Sequence, residues 1–591
     1  MILYIEIFIM KNLLKYLKPY ILLILIAIVF IVIQVQTDLA LPGYLSEIIN
    51  KGVILQDTDA ILSVGLEMLG VALIGAVAAI IVSYIAARVS TGVARDVREG
   101  IYSKILSLST KEINKFSTAS LLTRSTNDIQ QVQTVIFMFL RMVISAPIMG
   151  VGAIINAYEN APDMSWMIVV AVLTIFLIIV VVFIFAVPKF SKLQKLVDRL
   201  NRVSRENLTG LRVIRAFNTQ EYEQEKFDVV NKDLVKLNLF INKMMVSLQP
   251  ILFLIMNLLS IGIVWFGGHL LNESKLGIGD MFAFMQYAMQ VVMSFLRLTM
   301  IIIFLTRSVV SLKRIGEILS IKNVIKDSKK PKKFKKEGEG NIEYRNVSFS
   351  YDNSEEAVIK NISFKANSGE TTAFIGSTGS GKSTLINLLP RFYDVSSGVI
   401  LLDGIDIKEV KQKDLRDRIG YVPQKGSLFS GTIRSNLLYG KENATDEDLI
   451  SSTKTAQAYD FISEYEKKFD NPITQGGTNV SGGQKQRLSI ARALIKEPDI
   501  YIFDDSFSAL DMKTDQKLRK ALSEKTKEAT VLIVAQKIGT IMNADKIIVL
   551  DEGKIVGEGT HEELLKNCSV YKEIALSQLS EEELKIKREK S

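Results

Sequence analysis

Long apolar runs dominate the chain as far as about Ile315, and beyond it apolar residues come in short runs between Gly-bearing turns and evenly spaced charge. Six stretches in the first part, near 20–41, 62–87, 135–157, 165–187, 246–268 and 281–306, are long enough to cross a bilayer core, which takes about 20 mostly apolar residues. Several run on into polar helical sequence such as "RVSTGVARDVREGIYSKILSLS", so these helices are expected to project well beyond the membrane. The pattern predicts a membrane α-helical first domain. In the second part, short strands leading into helices predict a soluble α/β domain.

At 591 residues the chain is too long for one ordinary core. The expected division is a membrane domain over 1–320, a Lys-rich linker over 321–341, a second domain over 342–580 and a charged tail over 581–591. The linker "IKDSKKPKKFKKEGEGN" reads as a solvated connection, or as a run drawn to anionic lipid headgroups. Segments 88–134 and 188–245 are studded with Lys and Arg, whereas 42–61, 158–164 and 269–280 hold only Lys51 and Lys275. Cytoplasmic loops carry the positive charge, so the long loops, both termini and the second domain are expected on the cytoplasmic side of a multi-pass chain in the cell membrane.

The formal charge of +9 then reflects membrane topology, and no basic stripe interleaves with aromatics, which excludes a nucleic-acid groove. With one cysteine, Cys568, an intrachain disulfide and a four-Cys metal site are excluded, and two histidines far apart in sequence, His269 and His561, argue against a His-rich one. The first twenty residues lack the charged start and cleavage site of a signal peptide, and Met10 is an alternative start.

The stretch "TTAFIGSTGSGKST" carries an apolar strand, Thr371 to Ile375, into Gly376-Ser377-Thr378-Gly379-Ser380-Gly381-Lys382-Ser383 and on into helix-forming residues from Thr384. It is G-x-x-x-x-G-K-S in its strand-to-helix setting. The glycines let backbone N–H groups close around phosphate oxygens, the helix start adds positive partial charge, Lys382 reaches the terminal phosphates, and the Ser383 hydroxyl suits Mg²⁺. A nucleotide with Mg²⁺ is therefore expected here. Asp504, closing the strand "IYIF", suits the carboxylate of such a metal site; the alternative is an N-cap aspartate. In "NVSGGQKQRLSIARAL", Ser481, Gly482 and Gly483 open a second helix with N–H groups for an anion. A single nucleotide site needs only one such helix, so this one is expected to address a nucleotide held by another chain.

From Ile342 to about Leu579 the chain resembles the nucleotide-binding domain of ATP-binding cassette (ABC) proteins, on the strength of "SGGQ" placed between the phosphate loop and "IYIFDD". The six spans with their cytoplasmic extensions resemble the membrane part of exporters of that family, and together the likeness covers all but the first nine and last dozen residues. It implies a type IV exporter fold and ATP hydrolysis with Mg²⁺. It further implies that Tyr351 in "FSYD" stacks on adenine, that Thr384 belongs to the nucleotide contacts, and that Gln424 in "YVPQ" senses Mg²⁺ and touches the membrane domain. By the same likeness Ser481 to Gln484 complete a site on a partner chain, and Asp511 in "SALD" crosses the dimer interface. Taken alone, Tyr351 reads equally as a core tyrosine and Gln424 as a surface glutamine.

In that family the position after the magnesium aspartate is usually a glutamate that polarises water, and the switch position is usually histidine. Here they are Asp505 and Gln536. Losing one methylene shortens the carboxylate by about 1.5 Å, and a misplacement near 1 Å costs on the order of 10²-fold in rate. Gln536 can hydrogen-bond a phosphate oxygen but cannot carry the charge of an imidazolium. Binding with poor cleavage is expected, which fits one half of a heterodimeric exporter whose partner supplies the missing groups. A homodimer with two slow sites is the alternative.

Segments "NKFSTASLLTRSTNDIQQV" and "GLRVIRAFNTQEYEQEKF" resemble the coupling regions of such exporters. Arg141 and Arg297 lie inside apolar spans, where they line a path for anionic or amphipathic cargo, pair, or snorkel. Gln286, Met289, Gln290 and Met293 form an adaptable surface or pack between helices. Drugs and other amphipathic or lipid-like small molecules are the cargo that the resemblance implies, with membrane lipids as surroundings. A lipid flippase, an ATP-gated channel and a membrane sensor with a regulatory cassette share the same motifs.

Overall fold

The computed structural model describes residues 15–334, 339–351 and 356–579. Met10 and the tail 581–591 lie outside them. The chain separates into two units, the first of residues 1–107 and 116–321, the second of residues 108–115 and 322–591.

The first unit is helical. Its main elements are α1 (Ile21–Glu47), α2 (Thr58–Ser107), α4 (Asn127–Met138), α5 (Ser145–Asn160), α6 (Ser165–Thr209), α7 (Leu211–Ala216), α8 (Gln220–Asn272) and α9 (Ile278–Ser320), while the short α3 (Thr110–Ile113) groups with the second unit. Among the described residues, six helical stretches are long and apolar enough to cross a membrane. At 50 residues, α2 extends about 75 Å at ~1.5 Å per residue, more than twice the ~30 Å of a hydrocarbon core. The expected projection beyond the membrane is thus built into single unbroken helices.

Helix α1 buries Ala27, Ile31, Val35 and Leu39, one residue in every four, so a single stripe faces its neighbours. Its Pro42 has no N–H to offer the carbonyl of Asp38 four residues back. Gln290 of α9 supplies the missing donor, Nε2 to Asp38 O at 3.1 Å. The adjoining Leu39 carbonyl accepts from the Tyr287 hydroxyl at 3.1 Å and from Asn156 Nδ2 of α5 at 3.4 Å. The carbonyl that the proline leaves open is thereby satisfied by a side chain from another helix.

The second unit is α/β. An antiparallel sheet runs in the order β2 (Ile359–Ala366), β1 (Ile342–Phe349), β4 (Ser397–Leu402), β5 (Ile405–Asp406). A six-stranded sheet runs β10 (Lys554–Gly559), β9 (Lys546–Asp551), β3 (Thr371–Gly376), β8 (Thr530–Val534), β7 (Ile500–Asp504), β6 (Ile419–Val422). Only β10 is antiparallel to its neighbour. Strands β7 and β8 are buried at every position, as central strands covered on both faces must be. In this register Val534 lies opposite Asp504 and Val422 opposite Phe503, so the C-terminal ends of four parallel strands finish side by side. Loops leaving those ends converge, which is where open α/β sheets hold ligands.

Two stretches outside the expected 342–580 belong to this unit. Leu108–Lys115 groups with it although it falls inside 1–320. Part of the expected linker lies against it rather than running free: Ile325 is buried, Lys332 pairs with Glu409 at 2.6 Å, and Arg418 lies over the Phe334 ring at 4.8 Å.

Candidate functional site

The phosphate loop leaves β3 at Gly376, where a Cβ would meet Leu550 O at 2.0 Å, and enters α10 (Lys382–Leu388) through Gly381 at φ +97°. A Cβ at Gly381 would also meet Ile359 Cδ1 at 2.7 Å. Only glycine allows this backbone to curl so tightly, and the space inside the curl is filled by the Lys382 ammonium. It donates to Gly376 O at 2.9 Å, Ser377 O at 2.8 Å and Ser380 Oγ at 3.3 Å. Burial lowers the pKa of Lys382, and the nearby Asp505 and Asp504 oppose that shift. The cradle and its cation fit a polyphosphate.

The Ser383 hydroxyl donates to Asp504 Oδ1 at 2.7 Å, joining the helix start to the end of β7. Asp504 is buried; burial raises its pKa, the Ser383 bond opposes, and the Asp505 charge adds to the rise. A hydroxyl and a carboxylate, both hard oxygen donors beside the phosphate cradle, suit Mg²⁺.

Asp505 turns out of β7 at φ +46°, a left-handed conformation that aspartate tolerates better than most residues. Its N–H donates to Val534 O at 3.0 Å, which fixes the turn. Its Oδ2 accepts from Gln536 Nε2 at 2.9 Å and from Gln424 Nε2 at 3.2 Å. Burial raises the Asp505 pKa, against the Gln424 bond, the charges of Lys382 and Lys537, and the Gln536 bond. One carboxylate oxygen is thus held by two neutral amides, neither of which can take up a proton near neutral pH.

Ser481 caps α11 (Gly482–Leu494): its Oγ accepts from Gln484 N at 3.2 Å, and Gln484 Oε1 accepts from Ser481 N at 2.9 Å. A Cβ at Gly483 would stand 3.3 Å from Ala509 O, so the turn before Asp511 presses on the helix start. Asp511 caps α12 (Met512–Lys525), accepting from Thr514 N at 2.9 Å, and that backbone bond leads the lowering of its pKa. Among the described residues, no hydrogen bond joins Ser481, Gly482, Gly483, Gln484 or Asp511 to the loop Gly376–Thr384. Ser481 and Gly482 face solvent.

Tyr351 sets its hydroxyl 3.1 Å from Thr384 Oγ1 and its ring edge-on to Phe349 and Tyr393, with centroids 4.9 and 5.4 Å apart. It therefore stands next to the phosphate loop and outside the core. Arg141 is exposed with its guanidinium 5.9 Å from the Phe137 ring, and the exposed Arg297 acts electrostatically on Asp38. Gln290 is committed to the Asp38 carbonyl, so it belongs to helix repair rather than to a free adaptable surface.

Two residues at the site carry no sequence signal. Gln578, at the end of α13 (Ser569–Gln578), donates to Gln536 O at 2.8 Å and accepts from Ile538 N at 2.8 Å, bracketing the loop that bears Gln536. Tyr393 joins Tyr351 to Asn114, whose Nδ2 donates to the Tyr393 hydroxyl at 3.1 Å.

The family model described as ABC transporter transmembrane region matches residues 24–295, and the one described as ABC transporter matches residues 359–508. An uncharacterized ABC transporter ATP-binding protein of Mycobacterium tuberculosis (strain CDC 1551 / Oshkosh) is 38% identical over 95% of this chain and 97% of its own length. A putative multidrug export ATP-binding/permease protein of Bacillus subtilis (strain 168) is 30% identical over 96% of this chain and 98% of its own. The structure of a bacterial Atm1-family ABC exporter with ATP bound is similar to this one with a TM-score of 0.79, over 96% of this chain and 99% of that one, at 24% identity. That likeness is one of fold.

Proposed function

The chain belongs to the ABC transporter family, as an exporter half with six membrane spans and a cytoplasmic ATP-binding unit of the ATPase class, and from that premise we propose that it works in a heterodimer in which its own phosphate-loop site holds ATP and cleaves it slowly. The observation that carries the proposal is the state of Asp505. A residue that polarises attacking water must bring a carboxylate oxygen within reach of that water and pass a proton on. Asp505 is one carbon shorter than glutamate, and its Oδ2 is taken by the Gln424 and Gln536 amides.

Within this chain the phosphate loop and Lys382 grip the polyphosphate, and Tyr351 offers a ring face to the base. Ser383 and Asp504 would hold Mg²⁺, which when bound neutralises charge between the terminal phosphates. Gln536 orients against Asp505 and supplies no charge of its own. The capped, solvent-facing start of α11 is free to address a nucleotide on a partner chain. That partner's site would carry the glutamate and histidine that are absent here.

Amphipathic, drug-like or lipid-like molecules are the cargo class, supported by the multidrug name of the Bacillus relative. Membrane lipids would surround the spans. The test is to purify the chain with whatever polypeptide it assembles with and count nucleotide retained after turnover. One uncleaved ATP per assembly is expected. A chain that assembles with itself alone and hydrolyses ATP briskly at both sites overturns the proposal.

A further inference from the structure

The segment Leu108–Lys115 is covalently continuous with membrane-unit helices on both sides, yet it groups with the ATP-binding unit. Its attachment is specific. Ser109 caps α3, and the Glu112 carboxylate, 2% exposed, accepts from Ser109 N at 2.8 Å and from Val324 N at 3.0 Å. Two residues on, Asn114 donates to the Tyr393 hydroxyl. The Tyr393 ring meets the Tyr351 ring edge-on at 88°, and Tyr351 in turn touches Thr384, the residue after Ser383. A cavity of about 410 Å³ opens among Lys111, Asn114, Phe349, Tyr351 and Tyr393.

For packing alone a phenylalanine would fill the place of Tyr393. What the hydroxyl adds is a bond to a loop that belongs, by chain order, to the membrane half. What the ring adds is an edge against the aromatic offered to the base. Edge-to-face pairs hold a defined geometry, so a base that fixes the Tyr351 ring also fixes Tyr393 and, through its oxygen, Asn114.

We propose that Tyr393 is a positioning residue through which the loop at Asn114 responds to a nucleobase stacked on Tyr351, separately from the phosphates held at Lys382. The inference rests on Tyr351 being the base-stacking aromatic. Stacking tolerates different bases, so the sensed class is the nucleoside triphosphates. A triphosphate without a base fills the phosphate loop and leaves Tyr351 unloaded.

The experiment uses the full-length chain with any polypeptide it assembles with. An environment-sensitive fluorophore is placed on Lys115→Cys; Lys115 is exposed and Cys568 is buried. Saturating ATP is expected to shift the emission, and saturating inorganic tripolyphosphate to give less than about a third of that shift. In Tyr393→Phe, which keeps the ring and the packing, ATP affinity stays within about twofold while the ATP response falls to the tripolyphosphate level. Asn114→Ala gives the same pattern from the other end of the bond. If Tyr393→Phe binds ATP and responds as the parent does, the relay is overturned. If the parent binds tripolyphosphate as tightly as ATP, the base-stacking role of Tyr351 fails first and the relay with it.

Discussion

The amide of Gln536 donates to the carboxylate of Asp505 at 2.9 Å, across 31 residues of sequence, and the Gln424 amide reaches the same oxygen from 81 residues away. At this position neutral donors fix one carboxylate oxygen in place, and neither of them can take up the proton that a water-polarising residue must pass on.

Replacing both departures together, Asp505→Glu with Gln536→His, is expected to raise cleavage at this site by about ten- to a hundredfold. Single-turnover hydrolysis by the assembled complex measures it. Asp505→Asn should leave ATP affinity within a few-fold, because the grip comes from Lys382 and the loop. An unchanged rate in the double variant would show that reach and charge are not what limits cleavage.

Acidification is expected to act oppositely on empty and loaded protein. Asp504 and Asp505 both have raised pKa values, chiefly from burial, whereas in the unfolded chain they ionise near ~3.9. Between the two values the folded state binds more protons, so the stability of the nucleotide-free ATP-binding unit falls as pH rises through that window. Mg²⁺ needs the ionised form, so its contribution to nucleotide affinity should fall on acidification, starting above the ordinary aspartate range. Thermal melts and titration calorimetry between about pH 4.5 and 7.5 check both signs.

Gln290→Leu is expected to destabilise the membrane unit by about 1 kcal/mol, because it orphans the carbonyl that Pro42 has already deprived of a donor. Pro42→Ala restores a backbone N–H at that point. The loss from Gln290→Leu should therefore shrink in a Pro42→Ala background, and melting of the four proteins in detergent forms the cycle. Strict additivity would contradict the repair.

Gln578→Ala removes both side-chain bonds to the loop carrying Gln536. With Tyr571 and Ala575 of the same helix still buried in the core, the helix should stay docked while amides 536–541 exchange at least about fivefold faster, as loss of about 1 kcal/mol implies. Hydrogen exchange read by mass spectrometry measures this. Equal exchange would mean that the loop is held from elsewhere.

The features written in single local stretches were fixed by the sequence alone. Six apolar runs specify six spans, since twenty consecutive apolar residues have few other stable surroundings. Gly376 to Ser383 specify a phosphate loop, because the spacing of glycines and lysine within eight residues already contains the geometry. The positions of Asp505 and Gln536 were legible as departures, although the bond between them was not. Tertiary structure decided what depends on residues far apart in sequence. Parallel pairing places the ends of β3, β6, β7 and β8 side by side and so brings two glutamines to one carboxylate oxygen. Helix packing gives Gln290 to the carbonyl that Pro42 leaves open, and the meeting of three separate loops sets Tyr393 between Asn114 and Tyr351. Such partners follow from strand register and helix contact, which no local pattern encodes, since a glutamine or tyrosine in a polar stretch looks the same whether its amide or hydroxyl meets water or a carbonyl.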